Sequence, residues 1–230
     1  MTDNGIQLAV VDMAGTTVAD DGLVVSSFEV AATAAGLPDA GPEREHARQY
    51  VLDTMGQSKI VVFRALFGTE ELAQRANAAF EDAYEAQIDS GHAKPIAGAA
   101  EAITRLRDAG VKVALTTGFS STTQEKLLAA LGWQSLADLV LAPGDGVRGR
   151  PYPDLILTAL VRAQADAVAN VAALGDTSSD VVSALRAGCA IAAGTLTGAH
   201  DERRLHDAGA THVVPTVAEF ADLILDNRQQ

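Results

Sequence analysis

The sequence predicts an α/β protein with a Rossmann-like parallel sheet core and an inserted all-helical cap domain. Short apolar runs alternate with segments of helical periodicity, which is typical of parallel strands joined by helices. Between residues 19 and 94 this alternation stops, and apolar residues recur only at helical spacing. We therefore predict a catalytic core of residues 1–18 and 95–230, and a helical cap of residues 19–94.

The core elements follow in chain order. Apolar runs predict strands at residues 7–12, 111–116, 139–142, 171–176 and 189–193. Helical spacing predicts helices at residues 99–109, 122–131, 153–163 and 178–187. Several of these helices begin beside Ser, Thr, Asp or Pro, as helix N-termini favour. Polar, turn-prone joints at residues 20–22 and 92–95 suit hinges for a lid over the carboxyl edge of the sheet.

Composition excludes several classes of function. The 230 residues carry a formal net charge of −13, which argues against a nucleic-acid partner because such binding depends on Lys and Arg contacts to phosphates. The chain has no basic segment leading into an apolar signal sequence and no apolar run long enough for a membrane span. We expect a cytoplasmic protein without a membrane partner, whose five histidines all lie at the surface.

Polar side chains stand where the predicted strands end. Asp12 ends the first strand, Thr116 the second, and Asp176 a later one, with Asp180 four residues further on. Arg150 stands just before a predicted helix. Ligand sites of open α/β sheets lie beyond the carboxyl ends of the strands, so these side chains are predicted to share one site. Each signal is weak by itself, because an Asp at a strand end is more often a helix cap.

Together, the ordered motifs Asp, Thr, Arg and Asp-x-x-x-Asp resemble those of the haloacid dehalogenase superfamily over nearly the whole chain. The resemblance implies that Asp12 is the nucleophile, that Thr116 binds the transferred group and that an Arg or Lys neutralises charge. It also implies a Mg²⁺ cofactor, for which Asp12, the backbone carbonyl of Ala14 and Asp176 fit as oxygen ligands. Asp180 would stand behind these ligands and hold a water or Arg150; alternatively, it is a first-turn acid that the helix dipole stabilises.

Two departures narrow the resemblance. Ala14 stands where most members have a second Asp that acts as general acid, and Arg150 stands where most have Lys. Both features resemble the phosphonoacetaldehyde hydrolase, or phosphonatase, family. The string Met55-Gly56-Gln57-Ser58-Lys59-Ile60 resembles the cap motif of that family, whose lysine forms a Schiff base with the substrate aldehyde. The resemblance therefore implies that Lys59 is catalytic, and it implies a homodimer formed through the cap. The residues assigned to substrate binding are Gly15, Thr16, Met55, Gly56, Thr117, Gly118 and Phe119.

The chemistry agrees with this combination. Breaking a carbon–phosphorus bond leaves an electron pair on carbon, and an iminium formed from Lys59 accepts it. The enamine then departs without protonation of an oxygen, which explains why an acid at position 14 can be missing. Asp12 would attack phosphorus and form an aspartyl phosphate that water hydrolyses. For Lys59 to attack a carbonyl, burial or nearby cations must lower its pKa from about 10.4.

Other interpretations remain. The phosphonatase pattern has Asp-His shortly after the cap lysine and Tyr after the Thr-Thr-Gly turn, where this chain has Val61-Val62 and Phe119. The pocket is thus more apolar, and either water transfers the protons or the substrate is not phosphonoacetaldehyde itself. The alternative enzyme is a phosphomonoesterase acting on a small phosphorylated metabolite with a good leaving group. A non-catalytic binding protein is a third hypothesis, which the intact set of motif residues disfavours.

Overall fold

A computed structural model describes residues 5–227. Among these residues, six parallel strands form one sheet in the order β5, β4, β1, β6, β7, β8. The strands are β1 (Leu8–Asp12), β4 (Lys112–Thr116), β5 (Leu139–Leu141), β6 (Val171–Gly175), β7 (Ile191–Thr195) and β8 (His212–Val214). Two further short strands, β2 (Val18–Ala19) and β3 (Lys94–Pro95), pair antiparallel.

Helices cover both faces of the sheet. They are α5 (Ala99–Asp108), α6 (Ser121–Leu131), α7 (Asp154–Ala163), α8 (Ser178–Ala187), α9 (Glu202–Asp207) and α10 (Val217–Asn227). The central strand β1 shows how the two sides divide. Leu8 and Val10 pack in the apolar cluster that includes residues of α7 and α8, whereas Ala9 and Val11 pack in the cluster that includes residues of α5 and α10. A strand buried on both faces is what a parallel sheet requires.

Four helices lie between β2 and β3, and we refer to them as the insert: α1 (Leu23–Ala34), α2 (Pro42–Asp53), α3 (Lys59–Phe67) and α4 (Glu70–Asp89). Aromatic rings from three of them meet at its centre. Phe63 stacks on Phe28 with ring centroids 6.4 Å apart and tilts against Phe80 at 5.9 Å. These side chains are almost completely buried, so the insert has an apolar core of its own.

The α/β fold class is confirmed, and all five predicted strands are present with ends shifted by one or two residues. The sequence prediction missed β8, whose three residues include the exposed His212. It was wrong about His200, which is only 5% exposed. The Nδ1 atom of His200 accepts a hydrogen bond from the backbone N–H of Ser178 at 2.8 Å, and this contact holds the ring against the loop that follows β6. The other four histidines are exposed.

Within residues 5–227, the helices all lack the combination of length and apolar character that a membrane-crossing helix needs.

Candidate active site

The carboxylate of Asp12 lies at the end of β1 and is paired with a buried guanidinium. Nη2 of Arg150 donates to Oδ1 of Asp12 at 2.5 Å and to Oγ1 of Thr116 at 3.2 Å. Nη1 of Arg150 lies 2.7 Å from Oδ1 of Asp180. Arg150 therefore joins the ends of two neighbouring strands to the first turn of α8.

Burial dominates the ionisation of Asp12. It raises the pKa of this carboxyl to about 6, although the positive charge of Arg150 opposes the rise. The negative charge of Asp180 acts in the same direction as burial. The site thus has a carboxylate that is ionised above about pH 6 and that has been stripped of most of its water.

Asp176 completes a cluster of acids at the ends of β1 and β6. One oxygen each from Asp12, Asp176 and Asp180 can lie within 4.8 Å of one another. Burial raises the pKa of Asp176 well above its usual range, and the other two acids add to the rise. Three buried carboxylates with one guanidinium make this edge of the sheet rich in negative charge.

Backbone and hydroxyl groups hold Asp176 in place. Ala199 N–H donates to its Oδ2 at 2.7 Å, and the Thr16 hydroxyl donates to its Oδ1 at 3.4 Å. Asp180, in turn, accepts hydrogen bonds from the N–H and hydroxyl of Thr177 in a capping box that begins α8. Asp180 therefore both caps its helix and pairs with Arg150.

Lys59 is the first residue of α3 in the insert, and its side chain reaches towards the core. Its Nζ lies 5.6 Å from the ring centroids of both Phe80 and Phe119. Burial lowers the pKa of Lys59 from 10.5 to about 8; Asp20 opposes the shift and Arg150 adds to it. Within residues 5–227, Nζ has no carboxylate within ion-pair distance.

The loop before Lys59 touches the core closely. Lys59 N–H donates to the Gly118 carbonyl at 3.4 Å, and Nη1 of Arg150 donates to the Gly56 carbonyl at 3.5 Å. A Cβ atom on Gly118 would collide with the backbone carbonyl of Gln57. Gly118 is thus required for the close approach of the insert to the loop after β4.

A cavity of about 230 Å³ lies between the insert and the carboxyl edge of the sheet. Most of the residues predicted for the site line it: Asp12, Ala14, Met55, Gly56, Lys59, Thr117, Gly118, Phe119, Arg150 and Asp176. The remaining predicted residues, Gly15, Thr16, Thr116 and Asp180, support these through Asp176 and Arg150. The geometry brings all of them into one region.

A family model for haloacid dehalogenase-like hydrolases matches residues 9–193. The chain belongs to this family. The match covers Asp12, the whole insert and the strands that carry the acid cluster.

Individual relatives of this haloacid dehalogenase-like hydrolase are distant. The chain is 25% identical to the phosphonoacetaldehyde hydrolase of Nitratidesulfovibrio vulgaris, over 96% of this chain and 91% of the relative. It is 28% identical to a Dickeya dadantii protein named "Probable phosphatase IndB", over 92% of this chain and 90% of that protein. The crystal structure of a hydrolase from Pseudomonas syringae superposes with a TM-score of 0.83 at 24% identity, covering 96% of this chain and 98% of that one. The phosphonatase-like resemblance inferred from the motifs is therefore confirmed.

The acid cluster of this hydrolase fits a divalent cation. Carboxylate and carbonyl oxygens are the ligands that Mg²⁺ prefers, and the cluster gathers carboxylates that burial would otherwise drive towards protonation. Two glycines leave room for the Asp176 carboxyl group, because a Cβ atom on Gly15 or Gly198 would collide with it. Members of this family generally use Mg²⁺, and these residues suit it.

The sequence interpretation missed several groups of the hydrolase site. The loop of residues 197–199 after β7 lines the cavity and supplies the Ala199 N–H to Asp176. Asp20, which the sequence analysis placed only in a hinge joint at residues 20–22, also lines the cavity. These residues follow a predicted strand, and that position was the available signal. Thr-Gly-Ala has no titratable side chain that would mark it as part of a site.

Proposed function

We propose that this hydrolase cleaves the carbon–phosphorus bond of a 2-oxoalkylphosphonate, phosphonoacetaldehyde or an analogue, to give phosphate and an aldehyde or ketone. One observation carries the proposal. Lys59, whose pKa is lowered to about 8, lines the same cavity as the buried carboxylate of Asp12. An amine nucleophile and a carboxylate nucleophile thus face one small space, and a 2-oxophosphonate has one electrophilic centre for each.

Lys59 acts on the carbonyl group. Only the neutral amine attacks carbon, and with a pKa of about 8 roughly one-tenth of the lysine is neutral at pH 7, compared with about 0.03% at the ordinary pKa. The iminium that forms withdraws the electron pair from the carbon–phosphorus bond as this bond breaks. The lysine therefore makes an otherwise prohibitive leaving group tolerable.

Asp12 acts on phosphorus. Its carboxylate is ionised at neutral pH and attacks as the carbon–phosphorus bond breaks, so that phosphorus passes to Asp12 and the organic product leaves as the Lys59 enamine. Arg150 and Thr116 surround the carboxylate and are suited to hold phosphonate oxygens. Water then hydrolyses the aspartyl phosphate, and protonation and hydrolysis of the enamine return free Lys59.

Mg²⁺ would be held by Asp12, the Ala14 carbonyl and Asp176, and when bound it supplies charge neutralisation for the anionic phosphoryl group. Asp180 contributes by orienting Arg150. No general acid is needed at position 14 in this scheme. The enamine carbon takes up its proton only after the phosphoryl group has been transferred.

The insert supplies the lysine and the core supplies the nucleophile, so residues 19–94 act as the cap of a core formed by residues 1–18 and 95–230. Lys59 and Gly56 contact the core directly, and movement of the insert would open the cavity. Movement of the insert would then admit the substrate, close the cavity over it and bring the Lys59 amine to the carbonyl group.

The second candidate is a phosphomonoesterase that uses Asp12, Arg150 and Asp176 but not Lys59. The similarity to a protein named as a phosphatase over nine-tenths of both chains favours it. With Ala14 in place of an acid, such an enzyme would be limited to esters whose alkoxide leaves readily.

The Lys59→Ala variant separates the two candidates. We expect it to lose phosphate release from phosphonoacetaldehyde by a factor of about 10⁴ or more, and to retain release from p-nitrophenyl phosphate within about threefold. Lys112→Ala, which removes an exposed lysine distant from the cavity, is the matched control and should retain both activities. Unchanged phosphate release from phosphonoacetaldehyde in Lys59→Ala would refute the Schiff-base mechanism.

A further inference from the structure

Imine formation at Lys59 needs a group that moves protons, and the family's His and Tyr are absent here. The carbonyl oxygen must leave as water, which requires a proton donor beside Lys59. Val62 and Phe119 occupy the places that resemble the family's shuttle residues, and neither side chain titrates. Proton transfer to the carbonyl oxygen therefore needs another acid at the cavity.

Four carboxylates line the cavity in the described part of the chain: Asp12, Asp20, Asp21 and Asp176. Asp12 is paired with Arg150, and Asp176 is held by Ala199 N–H and Thr16. Asp21 is exposed to solvent. Asp20 is thus the partly buried carboxylate of the cavity that neither Arg150 nor the acid cluster engages.

Two hydrogen bonds hold Asp20 at the edge of the cavity that Lys59 also lines. Its Oδ1 accepts the backbone N–H of Val24 at 3.1 Å, and its carbonyl accepts the N–H of Leu23 at 2.7 Å, so the residue is fixed at the start of α1. Of the charged groups around Lys59, Asp20 has the largest effect on the pKa of this lysine. Asp20 and Lys59 both line the same cavity.

Tyr84 is the other candidate, and its properties argue against it. Its hydroxyl is buried without a hydrogen-bond partner among residues 5–227, and its ring packs on Phe119 with centroids 4.4 Å apart. Burial and the charge of Asp20 raise the pKa of this phenol, so it keeps its proton. Tyr84 also lies outside the lining of the cavity, whereas Asp20 is part of it.

We infer that Asp20 is the catalytic residue that transfers protons between Lys59 and the carbonyl oxygen of the substrate. This inference rests on the proposed function. The neutral amine of Lys59 forms the C–N bond while protonated Asp20 gives its proton to the carbonyl oxygen, and the Asp20 carboxylate then accepts a proton from nitrogen. Asp20 returns that proton to the hydroxyl group, the C–O bond breaks, water leaves and the nitrogen lone pair forms the iminium. Burial raises the pKa of Asp20, which favours the protonated form that begins this cycle.

The test is the rate at which Lys59 forms an adduct with phosphonoacetaldehyde, trapped with borohydride at timed intervals in wild type, Asp20→Asn and Asp108→Asn. Asn keeps the oxygen that caps α1 and cannot transfer a proton, so we expect the Asp20→Asn rate to fall by roughly 10²-fold or more. Asp108→Asn removes the same charge from an exposed residue at the end of α5, outside the cavity, and should stay within about threefold of wild type. Asp20→Ser, which also keeps an acceptor for Val24, provides a second variant, and thermal unfolding checks that each variant is folded.

If Asp20 acted only through its charge, the Asp20→Asn substitution would raise the rate of adduct formation instead of lowering it. Asp20 raises the pKa of Lys59, so its neutralisation alone would leave more neutral amine at pH 7 and speed adduct formation. A rate in Asp20→Asn equal to or above that of wild type would overturn the inference while leaving the proposed function intact. Absence of any adduct in the wild-type enzyme would overturn both.

Discussion

The Nζ atom of Lys59 lies 5.6 Å from the ring centroid of Phe119, so the lysine of the insert meets an aromatic ring of the core in the lining of the cavity. The ring excludes water and thereby disfavours the ammonium, while its face attracts the same charge. The desolvation dominates, because the pKa of Lys59 is lowered to about 8.

The first prediction concerns pH. Because the folded protein lowers the pKa of Lys59, acetylation of this amine by acetic anhydride, which needs only the neutral amine, should rise with pH and reach half of its maximum near pH 8. A lysine with an ordinary pKa would give a half-maximum above pH 10. Peptide mass spectrometry after brief treatment between pH 6 and pH 10 measures the midpoint, and a midpoint near 10 would show that the lysine is not activated.

The second prediction concerns stability. The unfolded chain binds a proton at Lys59 more tightly than the folded protein does, so between about pH 8 and pH 10.5 this group makes the free energy of unfolding rise with pH. Below pH 8 the lysine is protonated in both states, and the buried ammonium lowers the free energy of unfolding by an amount that does not change with pH. Lys59→Met, which keeps the length of the side chain without its charge, should raise the free energy of unfolding at pH 7 by roughly 1–3 kcal/mol. Urea denaturation measures the change, and a destabilised variant would contradict the burial of the charge.

The third prediction separates the two nucleophiles. Asp12→Asn should reduce phosphate release from phosphonoacetaldehyde and from p-nitrophenyl phosphate by about 10⁴-fold or more, because both substrates need the carboxylate. The Lys59 adduct should still form, since imine formation precedes the attack of Asp12. Mass spectrometry of the trapped protein checks this, and loss of the adduct with retention of the fold would place Asp12 in the imine step instead.

The fourth prediction concerns the metal. Chelation with EDTA should stop phosphate release, and added Mg²⁺ should restore it. Asp176→Asn should raise the Mg²⁺ concentration needed for half-maximal activity by at least about tenfold, because it removes one of the buried acids of the cluster. Adduct formation at Lys59 should survive EDTA treatment. Full phosphate release in EDTA would exclude a role for the cation.

The sequence predicted the sheet well because buried parallel strands leave long apolar runs, as in β1 and β6. The short strand β8 escaped notice since three residues, one of them exposed, leave too weak a pattern. His200 was placed wrongly for a related reason: its burial comes from a backbone contact to Ser178, which is 22 residues away in sequence. Contacts of this kind cannot be read from local periodicity.

The acids and the lysine of the site were accessible to prediction because each belongs to a recognisable motif at a strand end or in the insert. The role inferred for Asp20 was not, since the sequence shows only two adjacent acids at a hinge. The structure separates them: both line the cavity, but Asp20 is partly buried and its carboxylate accepts the Val24 N–H, whereas Asp21 is exposed. Side-chain direction after a turn depends on backbone angles that composition does not determine.

The central claim is that Lys59 forms an imine with a 2-oxophosphonate, and the most direct measurement is borohydride reduction in the presence of phosphonoacetaldehyde and EDTA, followed by peptide mass spectrometry. The account predicts a stable adduct on the peptide that contains Lys59, absent in Lys59→Ala and present in Asp12→Asn. A wild-type protein that gives no adduct with phosphonoacetaldehyde or its 2-oxoalkyl analogues, yet releases phosphate from p-nitrophenyl phosphate, would contradict the account and identify the chain as a phosphomonoesterase.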